Sequence, residues 1–313
     1  MQFQPSDTAT PTAPPDSVKR TSEIEEWSNR VFVHPISRAL VTVLARWGVS
    51  PNAVSLAGLA LGAGAAVAYL DYAQWPMVLL GFTLMVGWHV MDGADGQLAR
   101  LTGRTSEIGK ALDGLADHGT FVLVYLALAT AASQAQGSWV WIWAVAAGVS
   151  HAVQANTYEA QRYDYDFWVQ GKASARILTP DEFRAESAGA TGAAWALGQL
   201  QLLYLTVQHR TGAGTGPVHD ALVEAARPPG GAARVAQAYR ATHLAGVRRW
   251  NLLSSNVRTV AIAVACLAGS PVYFFAFEVV VLNLVFVALL AMRRRNDRAL
   301  LARLAADSGG VRT

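Results

Sequence analysis

Six stretches of this chain are apolar enough, and long enough as helices, to cross a lipid bilayer, and that pattern limits the fold more than any other feature. Hydrocarbon offers the backbone no hydrogen-bond partners, so a crossing takes about 20 mostly apolar residues wound as a helix. The stretches are 53–72, 76–100, 109–133, 139–157, 257–270 and 271–292. With 52% hydrophobic and only 15% charged residues, the chain is too apolar for an ordinary soluble domain of 313 residues. The expected fold class is an all-α integral membrane protein with six transmembrane helices.

Charge sets the orientation. The connectors after the first, third and fifth stretches carry no Lys or Arg, whereas the remaining inter-span segments and both tails do, so both termini are expected in the cytoplasm. Before the first span, residues 23–48 mix Trp27, Val31, Phe32, Ile36, Leu40, Leu44 and Trp47 with Arg30, Arg38 and Arg46, which suits an amphipathic juxtamembrane helix lying on the inner surface. Ser50-Pro51-Asn52 marks the break before the first span. Residues 193–208 are apolar but interrupted by Gln199, Gln201 and Gln208, and a seventh span would upset the charge asymmetry; an interfacial helix is expected there.

The expected organisation is a disordered tail over 1–22, a juxtamembrane helix and four spans over 23–157, and a cytoplasmic or interfacial insertion over 158–256. Two further spans over 257–292 and a cytoplasmic tail over 293–313 complete it. The lone Cys266 supports neither a disulfide framework nor a cysteine metal cluster, and the small net charge of +3 with dispersed basic residues gives no sign of nucleic acid. A bacterial inner membrane is the expected setting.

The chemistry concentrates at the cytoplasmic ends of the second and third spans. Asp92 and Asp95 stand three residues apart on one helix, Asp113 and Asp117 four apart on the next, so each pair shares a face. Carboxylates at membrane depth cost several kcal/mol unless paired, hydrated or metal-bound, and four together call for a compensating charge. An all-oxygen donor set favours Mg²⁺ or Mn²⁺ over zinc. Gly96 and Ala99 share the face of the first pair and Gly109 precedes Asp113 by one turn, leaving room for a ligand close to the backbone. Arg100 is permanently charged and shaped for bidentate phosphate contact. A pyrophosphate fits these groups.

The spacing D-x2-D-G-x2-A-R-x8-G-x3-D-x3-D, filled at every fixed position from Asp92 to Asp117, resembles the signature of the CDP-alcohol phosphotransferase family. The resemblance is specific over the motif and loose beyond Thr157. It implies that Asp92, Asp95 and Asp113 hold a pair of metal ions engaging the donor pyrophosphate. Asp117 would approach the metals and act as general base on the acceptor hydroxyl, and Gly96, Ala99, Arg100 and Gly109 would line the CDP pocket. It implies phosphatidyl transfer, with CDP-diacylglycerol as the expected donor, an alcohol acceptor and release of CMP, and it makes homodimerisation an expectation. Transfer from CDP-choline or CDP-ethanolamine to diacylglycerol uses the same motif. Arg162, Lys172 and Arg176 lean the reading toward a soluble acceptor.

Two other classes compete. A prenyltransferase also binds pyrophosphate through magnesium, but its acidic motifs lie farther apart; a cation transporter would leave Gly96, Gly109 and Arg100 without a purpose. Blander roles are expected for His89 and His118 as polar lining, and for Glu278 and Asn283 as packing within the sixth span. Gly58 and Gly62 could join protomers or pack within one chain. Trp139, Trp141 and Trp143 read as an interfacial belt.

Overall fold

The computed structural model describes residues 22–103, 107–212, 214 and 216–309, without the side chains of 107–117, 193 and 307–309. The expected N-terminal tail lies almost wholly outside the described residues, as does the end of the C-terminal one. Described residues form helices joined by short turns, with no strand among them. The chain divides into two compact units, one of 25–155 with 252–287, the other of 156–251 with 288–309 and the residues just before Glu25.

In the first of these units a π-helical turn, Asn29–Val33, runs into α1 (His34–Arg46), followed by α2 (Pro51–Tyr69) and α3 (Trp75–Thr102). Next come α4 (Glu107–Gln136) and the first half of α5 (Val140–Gln170). Ser50 caps α2, its hydroxyl accepting from the Ala53 amide at 3.2 Å, and Pro51 opens the helix where no amide is needed. Small residues let these helices close on one another. A Cβ at Gly58 would stand 3.2 Å from the Met91 Cβ of α3, and one at Gly62 would stand 2.5 Å from the Thr120 hydroxyl of α4. The G-x3-G pair therefore packs inside the chain. Gly62→Val is expected to destabilise by about 1–3 kcal/mol through overpacking, read as a lowered unfolding midpoint in detergent, and Thr120→Gly is expected to return part of it.

Among the described residues four helical stretches are long and apolar enough to cross a membrane: Pro51–Tyr69, Trp75–Thr102, Gly231–Leu267 and Val272–Ala306. The protein is thus an integral membrane protein. The expected third and fourth spans fall on α4 and α5. In α5 the polar Ser150, His151, Gln154 and Asn156 dilute the apolar run, and three of them bond to other helices of their unit: His151 to Tyr125, Gln154 to Arg258 and Asn283, Ser150 to Asn283.

The remaining helices of the first unit are α10 (Ser255–Leu267), α11 (Val272–Ala276), a π-helical stretch over Phe277–Leu282 and the start of α12 (Asn283–Gly309). Between α10 and the π-helical stretch lies a fully buried ion pair. Arg258 donates from Nε and Nη2 to Glu278 at 2.9–3.2 Å, and Nη2 also reaches Gln154 Oε1 at 2.7 Å. Gln154 continues to Asn283 at 2.9 Å, and Asn283 to Ser150 at 2.9 Å. A π-helical stretch leaves backbone groups off the usual ladder, and such stretches recur where a helix must present a particular side chain.

The second unit holds the rest of α5 and α12 with α6 (Pro180–Glu186), α7 (Gly192–Arg210), α8 (Pro217–Ala226) and α9 (Gly231–Trp250). Its core gathers Ile24, Tyr165, Leu222, Val235, Ala238, Tyr239, Val247 and Leu300. Arg293 is buried against Asp164 at 2.7 Å and the Gly212 carbonyl at 2.7 Å, while His243 meets Asp297 at 3.1 Å beneath the stacked Tyr239 ring. Thr179 and Glu182 form a reciprocal cap on α6, and the Thr179 amide, followed by Arg176, holds the Glu182 carboxyl below its ordinary value. The insertion is thus organised around its own core, and residues beyond 288 take part in it.

Candidate active site

The first acidic pair sits in the last three turns of α3. That helix ends where Gly103 adopts a left-handed φ of 64° and returns its amide to the Ala99 carbonyl, a conformation open to glycine at little cost. Arg100 falls in the final turn, where the helix dipole favours a cation. A Cβ at Gly96 would lie 3.3 Å from the Arg100 Nη1, so the guanidinium folds back along the helix over Gly96. Of the expected nucleotide-binding positions, Gly96, Ala99 and Arg100 therefore lie together at one end of α3.

Asp95 is 5% exposed and its two oxygens are held separately. Oδ2 accepts from the Ser55 hydroxyl of α2 at 2.6 Å, and Oδ1 accepts from the Gly96 amide at 2.5 Å. Asp92, one turn earlier and half-buried, makes no hydrogen bond or ion pair with any described residue. A second constraint comes from α1, where the Ser37 hydroxyl contacts the Val33 and Val90 carbonyls at 2.9 and 2.8 Å. Gly93 admits that approach, since a Cβ there would stand 2.8 Å from the Ser37 hydroxyl. Two serines on two helices thus fix the turn of α3 that carries Asp92 and Asp95.

Gly109, Asp113 and Asp117 belong to α4, but their side chains lie outside the described residues. Among the described residues, accordingly, no set of three or more candidate ligands gathers. The two acids on α3 suit a hard divalent cation: they are oxygen donors one turn apart, and Asp92 has no cationic partner among the described residues. His89 lies within electrostatic reach of Asp92, and its Nε2 is engaged with the Thr259 hydroxyl of α10 at 2.9 Å. His118 is exposed and lines an apolar cavity of about 200 Å³ between α4 and α5, with Phe121, Tyr125, Gly148 and His151.

Ser55 and Ser37 carry no mark in the local sequence pattern, although Ser50-Pro51-Asn52 locates the start of the helix that bears Ser55. Their role depends on register between helices. Ser55→Ala is expected to lower turnover by about 10–100-fold and raise the divalent-metal requirement, as loss of a group orienting a ligand typically does. Ser55→Thr is expected to restore both; an unchanged metal titration in Ser55→Ala would refute the assignment.

Residues 48–179 match the family model for CDP-alcohol phosphatidyltransferase. Over that segment the chain is similar to the CDP-alcohol phosphatidyltransferase family. That segment begins in the turn after α1, takes in α2, α3, α4 and α5, and ends at Thr179, the residue that caps α6. The matched segment therefore contains every position of the acidic motif, together with Ser55 from the preceding helix. Comparison with curated proteins gives no match.

Proposed function

We propose that this protein transfers a phosphatidyl group from CDP-diacylglycerol to an alcohol and releases CMP. The observation that carries the reading is the complete motif from Asp92 to Asp117 inside the matched segment, with Asp95 locked by Ser55 and Asp92 left for a ligand. The family description names phosphatidyl as the group moved, which favours CDP-diacylglycerol over CDP-choline or CDP-ethanolamine as donor. The basic residues after α5's apolar half add less than their charge suggests. Lys172 is paired with Asp166 at 3.0 Å, Arg176 with Glu182, and Arg162 lies 5.7 Å from the centre of the Tyr158 ring.

In this reading Asp92, Asp95, Asp113 and Asp117 hold Mg²⁺ or Mn²⁺, as two ions. The metal, when bound, offsets charge on the phosphate under attack and on the departing CMP. Arg100 contributes fixed positive charge toward the donor phosphates, and Gly96, Ala99 and Gly109 leave space for the nucleotide beside the backbone. Asp117 receives the proton of the acceptor hydroxyl. Positioning and preorganised charge supply most of the rate enhancement. We further take α4 and α5 as the third and fourth of six spans, with α10 and the run from Val272 as the last two. The π-helical turn and α1 then lie on the inner surface, with both termini in the cytoplasm of a bacterial cell. Homodimerisation belongs to the same reading.

The test is CDP binding by the purified protein with and without Mg²⁺, followed by identification of the lipid formed from CDP-diacylglycerol with soluble alcohols supplied singly. Metal-dependent binding and one acceptor-dependent product are expected, with Asp117→Asn binding nucleotide but forming no product. A product only from CDP-choline or CDP-ethanolamine with diacylglycerol would reverse the donor assignment.

A further inference from the structure

Helix α7 presents an apolar surface that its own unit does not cover. Trp195 is 57% exposed, Leu197 56%, Leu200 65% and Leu203 62%. Leu197, Leu200 and Leu203, three residues apart, share one side of the helix, with Trp195 at its border and the exposed Gln199 and Gln201 beside it, and across Gly192–Arg210 there is no acidic residue and one arginine, at the final position. Isolated exposed leucines are ordinary; a continuous apolar surface of this kind marks a site of interaction with lipid or protein. A helix with an apolar side bordered by polar residues suits the plane of a membrane interface.

Helix α7 is fastened to the part of α5 in its own unit. The Asn156 Nδ2 donates to the Tyr204 carbonyl at 2.8 Å, the Tyr204 hydroxyl donates to Glu159, and Leu205 packs with Ala160. At that point α5 changes from apolar residues to Glu159, Arg162, Asp164 and Asp166. The C-terminal part of α7 is therefore tied to the turn where α5 passes from apolar to polar.

The N-terminal part is tied to a charged segment as well. Phe183 and Arg184 of α6 share with Trp195, Gly198 and Leu202 a cavity of about 250 Å³, and α6 also bears Asp181 and Glu182. Charged segments alongside both parts of α7 oppose a crossing, although its 19 residues would be long enough for one. Trp195 beside Arg184 matches the residue types that settle at the headgroup level.

We propose that α7 is a membrane-docking helix that lies along the cytoplasmic headgroup boundary, with Leu197, Leu200 and Leu203 in contact with lipid. It would anchor the helical insertion to the membrane from outside the matched phosphatidyltransferase segment. The bilayer is the occupant that an acid-free apolar helix, joined to α5 at its apolar-to-polar change, is suited to meet.

The experiment places one nitroxide at a time in the full chain, reconstituted in phospholipid nanodiscs, at Leu197→Cys, Leu200→Cys or Leu203→Cys in a Cys266→Ala background. Ile142→Cys, 73% exposed on the apolar half of α5, and Glu224→Cys, 64% exposed on α8, are references for lipid and water. Collision with molecular oxygen is expected to exceed collision with a water-soluble nickel complex several-fold at all three positions, at a depth between the two references. Values equal to those at position 224 would place α7 in water, and values equal to those at 142 would make it a span. Shielding from both reagents would show protein cover, such as a second copy. Each of these would overturn the proposal.

Discussion

Asp92→Asn is expected to abolish transfer, with CMP release falling on the order of a hundredfold or more, while the unfolding midpoint in detergent stays where it was. The expectation follows from the unequal situations of the two acids on α3. Asp95 is buried and accepts from Ser55 and Gly96, so changing it disturbs packing and chemistry together. Asp92 is half-buried and makes no hydrogen bond or ion pair with a described residue, so the amide breaks neither while removing the charge that the proposed divalent ion would need. Turnover by Asp92→Asn at the wild-type rate would remove the carboxylate from the reaction. An equal loss of activity and stability would make it a structural residue instead.

The second large effect concerns stability. Arg258→Met and Glu278→Leu are each expected to cost about 3–5 kcal/mol, because either leaves its former partner charged, buried and unpaired. In water the stranded ion could be hydrated, but both side chains here are fully inaccessible. The double variant Arg258→Met with Glu278→Leu is expected to recover most of the loss, since removing both charges also removes their desolvation cost. Thermal unfolding of the four proteins in one detergent checks the cycle. Strictly additive losses would show that the two groups act independently.

The acidic site and the packing around it were unequally legible in the sequence. Asp92 and Asp95 share a face because three residues is close to one helical turn, and that spacing is readable without any tertiary information. The apolar runs likewise announced α2 and α3, and Ser50-Pro51 the start of α2, because bilayer thickness and helix capping act locally. Ser55 was silent: only the packing of α2 on α3 brings its hydroxyl to Asp95, 40 residues away. Arg258 reads in sequence as a charge at a span boundary, yet its partners Glu278 and Gln154 lie 20 and 104 residues distant. Local charge rules cannot choose between a topology signal and a buried pair.

The insertion shows the same limit. Between 158 and 256 the pattern carries no motif and, apart from the interrupted apolar run over 193–208, is too polar for spans, so an insertion with one interfacial helix was all it implied. Its core depends on Leu300 and Arg293 from α12, contributed from far along the chain. The Gly58 and Gly62 pair was equally open between an interface and internal packing until Met91 and Thr120 appeared opposite them.

Release of CMP from CDP-diacylglycerol by the purified protein, with Mg²⁺ present and then chelated and with Asp117→Asn as the blank, tests the central claim most directly. Metal-dependent and acceptor-dependent CMP, absent from the blank, is the predicted result. No CMP from CDP-diacylglycerol, CDP-choline or CDP-ethanolamine under any acceptor, accompanied by cation flux or by pyrophosphate release from a prenyl donor, would contradict it.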